Sequence, residues 1–502
     1  MVGRHAVQGH ERTVVVVGGG LSGASFAVQL SRASRQCLRI VIIEPRPEIG
    51  KGLAYSTLDP EHRLNVALDS HIVDPSRLME LREWCDSQGI VQADPGARLP
   101  SGYIFIRRRD FGRYVSELVR RNALNPDTGT TIAHWQDSAV AMDLLETGGA
   151  CVHTATGKRI EAYLVVVATG NPLPRLQRPF GAEHLHHPRI VANPLQAGAL
   201  DAVPPDARVL VVGTGLTALD VLSTFVRRGH RGHILAVSRR GLRPRPQPPA
   251  MLGNVPPPPR PGALTPLEQV LAPTPGFIKA LGESYGVADL YHALRRQIRE
   301  DEAQGRTWHA AFDVFRDAVW RIWARLPVTE RRKFVRKLRP WYDVHRFRSP
   351  PRNDQMVAQA QQQGLITFAR ARLEHVSSGV EESGVRVCLV AEGLRQEHAF
   401  DAVVNCTGLD SSRYDEDNPF LRSAMACGVL VPDPTGLGFQ VDADCRAIDA
   451  QGLPNPGIRV VGPPTLGAHG DAQGVRYIAV QIYRMLPSVL SHLESTEEEA
   501  KC

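Results

Sequence analysis

The feature that most constrains this chain is a glycine pattern that occurs twice, each time directly after a short, valine-rich apolar run. In its first occurrence residues 14–17 (VVVV) have no polar interruption, as a parallel strand buried on both faces requires. Gly18, Gly20 and Gly23 follow at G-x-G-x-x-G spacing, and residues 24–30 have the small, apolar content of a helix packed on a sheet. The first glycine permits a tight turn, the second lets backbone approach a pyrophosphate, and the third lets helix and strand pack closely. The phosphates then face unpaired amides at the positive end of the helix. A second apolar run, residues 38–43 (LRIVII), ends in Glu44, 21 residues beyond Gly23, where a carboxylate accepts hydrogen bonds from both hydroxyls of an adenosine ribose.

The pattern returns at 209–212, with Gly213, Gly215 and Ala218 in the turn, a helix over 219–227 and a strand over 234–237. Two such units in one chain imply two dinucleotides, which is more specific than either unit alone. The second unit closes on Ser238-Arg239-Arg240 where the first has an acid. An acid repels an adenosine 2′-phosphate, whereas arginine holds it with two parallel bonds. Arg239 and Arg240 therefore point to NADPH, with NADH, and arginine stacking on adenine, as the alternative.

At 502 residues the chain has room for two or three domains, and 43% hydrophobic with 22% charged residues is the balance of a globular protein. No apolar run approaches the ~20 residues that cross a bilayer, and the first twelve residues lack the apolar core of a signal peptide, which predicts a cytoplasmic protein without a membrane partner. The eight cysteines include no C-x-x-C, which argues against a disulfide framework and a dithiol redox centre, and no metal-ligand spacing stands out. A net charge of +7 is mild, and the arginines between 294 and 352 accompany no nucleic-acid reading module.

Between the two units, residues 45–66 form a Pro/Gly loop at the carboxyl end of the first sheet, where open α/β sheets bind ligands. Asn65 there can donate and accept, as a flavin edge requires, or serve as a turn asparagine. An amphipathic helix is predicted from 107 to 121, and strands at 131–143 and 150–155 read as an antiparallel hairpin over the first sheet. A buried strand in 163–171 ends in Thr169-Gly170, small enough for the chain to pass a bound dinucleotide. Residues 242–275 are too proline-dense for regular structure; residues 276–340 are helical by periodicity and close on RPWYDVHRFR. His345 in that phrase is a candidate proton donor or a structural histidine. Strands over 365–390 return to the second unit, and 401–408 repeats the strand-plus-Thr-Gly ending. A last strand at 458–461 leads through Gly462 to a helix from about 474, whose N-terminus would face the first cofactor, and the acidic tail at 494–500 reads as a solvated helix end.

Together with the phrases GLAYSTLDPEHRLNVAL, FIRRRDFGRYV, VSRRGLRPRP, RPWYDVHRFRSPP and VVGPPTLGAHG, this organisation resembles the FAD/NAD(P)-binding proteins of the YdhS-like group. That group is related to the flavin monooxygenases with two dinucleotide domains, the N-hydroxylases and Baeyer-Villiger enzymes. The resemblance implies an α/β chain of two Rossmann-like domains, for FAD and for NAD(P)H, with a helical, Pro-rich insertion in the second. Residues 1–195 and 409–502 would form the FAD domain, 205–243 and 360–408 the NAD(P)H domain, and 244–359 the insertion. FAD would lie on Gly18, Gly20, Gly23 and Glu44 with Asn65 near the flavin, and NAD(P)H on Gly213, Gly215, Ala218, Arg239 and Arg240; the residues themselves add Thr169, Gly170 and Gly462 as candidate cofactor contacts. The implied reaction is NADPH-driven hydroxylation of a small organic molecule by dioxygen, with urate-like nitrogen heterocycles as a candidate acceptor; self-association is left open. The F-x-G-x-x-x-H-x-x-x-W phrase of many such monooxygenases is only echoed here, as Phe180-Gly181 with His184, His186 and His187 and no tryptophan.

Overall fold

The computed structural model describes residues 12–146, 148–253, 265–377, 384–408, 414 and 417–499, with backbone alone at 266 and 495–499. The expectations for the N-terminus, most of the proline run at 254–264, residues 409–413 and the acidic tail's side chains lie outside the described residues.

The two valine-rich runs become the centres of two parallel sheets. β1 (Arg12–Val17) pairs in parallel with β2 (Leu38–Ile43) on one side and with Leu164–Val167 on the other, so that Val15 sits between Val41 and Val165. α1 (Leu21–Ala33) covers this sheet, and Pro454–Val460 extends it in parallel beyond Leu164–Val167. Alternate residues face opposite ways: Val14, Val16, Ile40 and Ile42 pack with α1 and the C-terminal helix Val475–Glu499, whereas Val15, Val17, Val41 and Ile43 pack with Met142, Val152, Phe420 and Phe439. Each fully buried valine or isoleucine contributes about 1.5–3 kcal/mol, so a continuous apolar strand is a stable choice only when both faces are covered.

The second sheet repeats the plan. Val211, in Val209–Val212, lies between Ala236 of Ile234–Ser238 and Val404 of Ala402–Asn405. Its edges are Ile366–Arg370 and the two-residue strand Ile190–Val191, which the long linker after the first sheet delivers. Helix Leu216–Arg227 follows the glycine turn, and helix Pro351–Gln362 packs beside it, so helical cover of this sheet begins ahead of residue 360.

Two expectations are corrected. Residues 131–143 are not one arm of a hairpin: β3 (Thr131–Trp135) is the parallel edge of the first sheet beside β2, and the antiparallel unit is Ala139–Leu144 with Ala150–Thr154 and Arg159–Ala162. Asp137, whose carboxylate accepts from the Ser138 amide, ends β3 and turns the chain into the new sheet. The proline-dense stretch also holds two short helices, Pro249–Leu252 and Pro266–Leu271. Proline is tolerated in a first turn, and Thr265 and Glu268 cap the second helix reciprocally.

Between Ile234–Ser238 and Ile366–Arg370 stands the helical insertion, with helices Val287–Ala303, His309–Asp317, Val319–Arg325, Val328–Lys337 and Arg339–Arg346. It has its own core around Leu290, Ala293, Ile322, Trp323 and Leu326. Buried ion pairs join it to the return segment of the first domain: Arg346 Nε meets Asp471 at 2.5 Å, and Arg476 meets Asp317.

Candidate functional site

The first turn is built as its sequence requires. Gly18 has φ +103°, its amide donates to the Ile43 carbonyl at 2.9 Å, and a Cβ there would stand 2.5 Å from the Ala168 carbonyl oxygen. Gly23 packs α1 onto the turn, since a Cβ would meet the Gly18 oxygen at 2.0 Å. Gly20 precedes the first residue of α1 and faces Gly52 of the following loop, and the Gly50 amide donates to the Gly19 carbonyl at 2.7 Å. Glu44 is buried at the end of β2, where one oxygen accepts from the Gly19 amide at 2.9 Å and the other from the Arg46 amide at 3.0 Å. The Arg46 guanidinium adds a third bond, to the same oxygen at 3.2 Å, so of the carboxylate's about four lone-pair sites one remains, on Oε2, for a ribose hydroxyl. Thr169 adjoins Gly18, and its buried hydroxyl has no partner among the described residues, which fits a cradle whose last contact is a ligand. Gly170 follows it with φ +73°. Gly462 also lies here, but its amide is taken by the Gln481 side chain at 2.9 Å. With a positive φ, and with Ser22 Oγ only 2.3 Å from where a Cβ would stand, it is a packing glycine against α1.

The second turn matches the first. Gly213 has φ +117°, its amide donates to Val237 at 2.8 Å, and a Cβ would stand 2.0 Å from the Cys406 carbonyl oxygen. Ala218 is fully buried where Gly23 stands in the first unit, while Gly215 has nothing within 4 Å of where a Cβ would be. Arg239 and Arg240 are exposed just beyond Ile234–Ser238. Beside them Arg243, which no sequence pattern singles out, lies on the Phe368 ring at 3.7 Å and bonds Gln361. Thr214 Oγ1 donates toward Ser238 Oγ and the Leu242 carbonyl, so the turn is tied to the loop carrying these arginines.

The two units are bolted together. Arg108 binds Asp220 through two bonds of 2.6 and 3.2 Å, His62 Nε2 meets Thr224 Oγ1 at 3.2 Å, and Asn353 donates to the Glu61 carbonyl at 2.7 Å. No local pattern signals contacts that join residues more than 100 positions apart. Asn65 sits on this connecting loop, and its carbonyl accepts from Gln247 Nε2, which also reaches the Ser349 carbonyl.

His345 is placed apart from the turns, in the insertion. Its Nδ1–H donates to the Trp341 carbonyl at 2.7 Å, and its ring lies 4.9 Å from Trp308. Burial, followed by the charges of Arg245 and Arg348, holds it below the usual histidine range, so at neutral pH it is an uncharged imidazole with Nε2 as an acceptor. It lines a cavity of about 730 Å³ whose wall includes Leu290, Phe312, Trp323, Tyr342 and, from the return segment, Gly470.

Fold and site define a chain with two dinucleotide-type Rossmann units, the architecture of the flavoproteins that carry a second nucleotide domain. Residues 15–172 match the FAD-NAD(P)-binding family. Over 129 residues, 26% of this chain, it is 30% identical to an FAD-dependent monooxygenase of Arthrinium sp; the match spans 24% of that protein's length. Among solved structures it is similar to the ornithine N-hydroxylase of Kutzneria sp. 744 (TM-score 0.62, 16% identity, 95% of this chain and 99% of that one). It is also similar to the L-lysine 6-monooxygenase of Pseudomonas syringae (0.60, 17%, 97% and 100%) and the cadaverine monooxygenase of Erwinia amylovora (0.62, 12%, 97% and 95%). These likenesses establish a shared fold. Among the described residues no helix is long and apolar enough to cross a membrane, and no group of three or more His, Cys, Asp or Glu could hold a metal ion.

Proposed function

We propose that this chain is an FAD- and NADPH-dependent flavin monooxygenase that hydroxylates a small organic molecule. The carrying observation is that two glycine turns of the same construction, each pressed against the carbonyl of a neighbouring strand end, stand in one chain and are bolted together through Arg108 and Asp220. The names of the relatives above, all monooxygenases or hydroxylases, agree with this reading. None of those names mentions a purine, so the urate-like candidate gains no support from them.

Bound FAD would relay the hydride of NADPH to dioxygen, for an overall conversion of substrate, O₂, NADPH and H⁺ into hydroxylated product, water and NADP⁺. Gly18, Gly20 and Gly23 would hold its pyrophosphate at the start of α1, Glu44 its ribose, and Thr169 and Gly170 the chain's closest passage beside it. Gly213, Gly215 and Ala218 would hold the second dinucleotide, with Arg239 and Arg240 on the 2′-phosphate. Asn65 is the polar side chain we place toward the flavin. The insertion would exclude water and select the acceptor.

The test is direct. Purified protein should be yellow, bleach with NADPH without oxygen, and on aeration yield hydroxylated product with one NADPH consumed per product. Protein that reoxidises and releases only hydrogen peroxide with every acceptor tried would remove oxygen insertion and leave a reductase.

A further inference from the structure

We propose that the cavity in the helical insertion binds an apolar molecule carrying one anionic group, a single-chain carboxylate being the simplest example. Its identity as the acceptor rests on the monooxygenase reading above; its identity as a binding site does not.

At about 730 Å³ the cavity falls within the range of roughly 300–1,000 Å³ typical of small-molecule sites. Its wall is aromatic and aliphatic, with Trp308, Phe312, Phe315 and Trp323 among its members. Each methylene moved from water onto such a wall strengthens binding roughly fourfold. A urate-like heterocycle, edged all round with N–H and C=O groups, would leave most of them unpaired there.

Charge at the opening gives the second half of the ligand. Arg245, Arg295 and Arg299 are exposed and line the cavity, against the single carboxylate of Glu302. Tyr342, also in the wall, has its hydroxyl buried with no partner among the described residues, a further donor for a ligand oxygen. His345 in the same wall is uncharged at neutral pH and adds no compensating charge of either sign. Three guanidiniums to one carboxylate disfavour a cationic amine. The ornithine, lysine and cadaverine named for the structural relatives are therefore poor candidates for this cavity.

The cavity also touches the first domain. Gly470 forms part of its wall, and Trp323 Nε1–H donates to the Gly467 carbonyl at 2.7 Å. These residues belong to the segment between Gly462 and helix Val475–Glu499, which packs on α1. A ligand held there would abut the domain that carries the first glycine turn.

The experiment uses full-length, FAD-loaded protein with 1-anilinonaphthalene-8-sulfonate as the fluorescent probe. Dodecanoate should displace the probe at a concentration at least tenfold below that needed by dodecylamine, while lysine, cadaverine and urate leave it bound. The double charge reversal Arg295→Glu with Arg299→Glu should weaken dodecanoate roughly tenfold and favour dodecylamine. Leu294→Trp, which fills part of the space, should lose both probe and dodecanoate at unchanged flavin content. Equal displacement by dodecylamine, or unchanged dodecanoate binding in the charge-reversed protein, would overturn the proposal. Bleaching by NADPH is scored in parallel: protein that bleaches yet ignores dodecanoate refutes the site alone, and protein that binds dodecanoate yet never bleaches refutes the oxygenase reading alone.

Discussion

The two glycine turns share a backbone and differ in their surroundings. The first is covered: the loop at 50–52 closes over Gly19 and Gly20, and Glu44 is buried beside them. The second stands open, with free space at Gly215 and two exposed arginines at the strand end. One construction is thus set up in two ways, as a closed cradle suited to a resident dinucleotide and as an open one suited to a coenzyme that arrives and leaves.

The sharpest way to break that comparison is to add a Cβ to each turn. Gly18→Ala puts a methyl into the Ala168 carbonyl at a positive φ, and retained flavin should fall by more than tenfold. Gly213→Ala makes the equivalent clash with Cys406 and should leave the flavin in place while abolishing bleaching by NADPH. Flavin loss in both variants would show that the turns do not divide the cofactors.

Next in size is the bolt between the units. Arg108→Ala leaves Asp220 buried without its partner and should cost about 3–5 kcal/mol, read as a drop in Tm. Arg108→Ala with Asp220→Asn should recover part of that loss; a double variant no more stable than the single one would argue against an uncompensated charge.

Acid should then separate the halves. Burial pushes both His71 and His469, in the first domain, down to about 4. Between their unfolded value near 6.5 and 4 the unfolded chain binds protons that the native one refuses, so this stability is present above pH 6.5 and lost as pH falls through 4. Each histidine accounts for at most about 3 kcal/mol. Hydrogen exchange should show the first sheet loosening before the second across that interval, and His71→Phe should flatten the dependence. Simultaneous loosening of both sheets would remove the asymmetry.

The smallest effect concerns the open turn's selectivity. Arg239→Ala should weaken NADPH roughly tenfold and leave NADH unchanged, measured as the coenzyme concentration giving half-maximal bleaching. Equal losses for the two coenzymes would refute a phosphate contact.

Much of this architecture is legible in the chain because the decisive signals are local. A short uninterrupted apolar run leading straight into a glycine turn, VVVV in the first unit and VLVV in the second, is what a strand covered on both faces of a parallel sheet requires, and it appears twice. β3 passes for a hairpin arm for a physical reason: only Ile132 of its five residues is buried, so an edge strand carries the alternating look of one. The cavity is beyond the reach of sequence patterns because its aromatic wall is drawn from several helices between 287 and 345, whose angles no periodicity specifies. Gln247, which ties Asn65 to Ser349, lies in a proline-rich stretch whose composition suggests only a linker.

The insertion interrupts the second domain in sequence yet plants its charges in the first, through Arg346 on Asp471 and Asp317 on Arg476. Anyone transplanting it onto a homologous scaffold to change specificity would sever both pairs; Asp317 would keep Arg316, but Arg346 would be buried without its carboxylate. The exchangeable unit for protein engineering is accordingly discontinuous, residues 276–348 together with 471–477, and a graft that moves only the first of these should arrive misfolded.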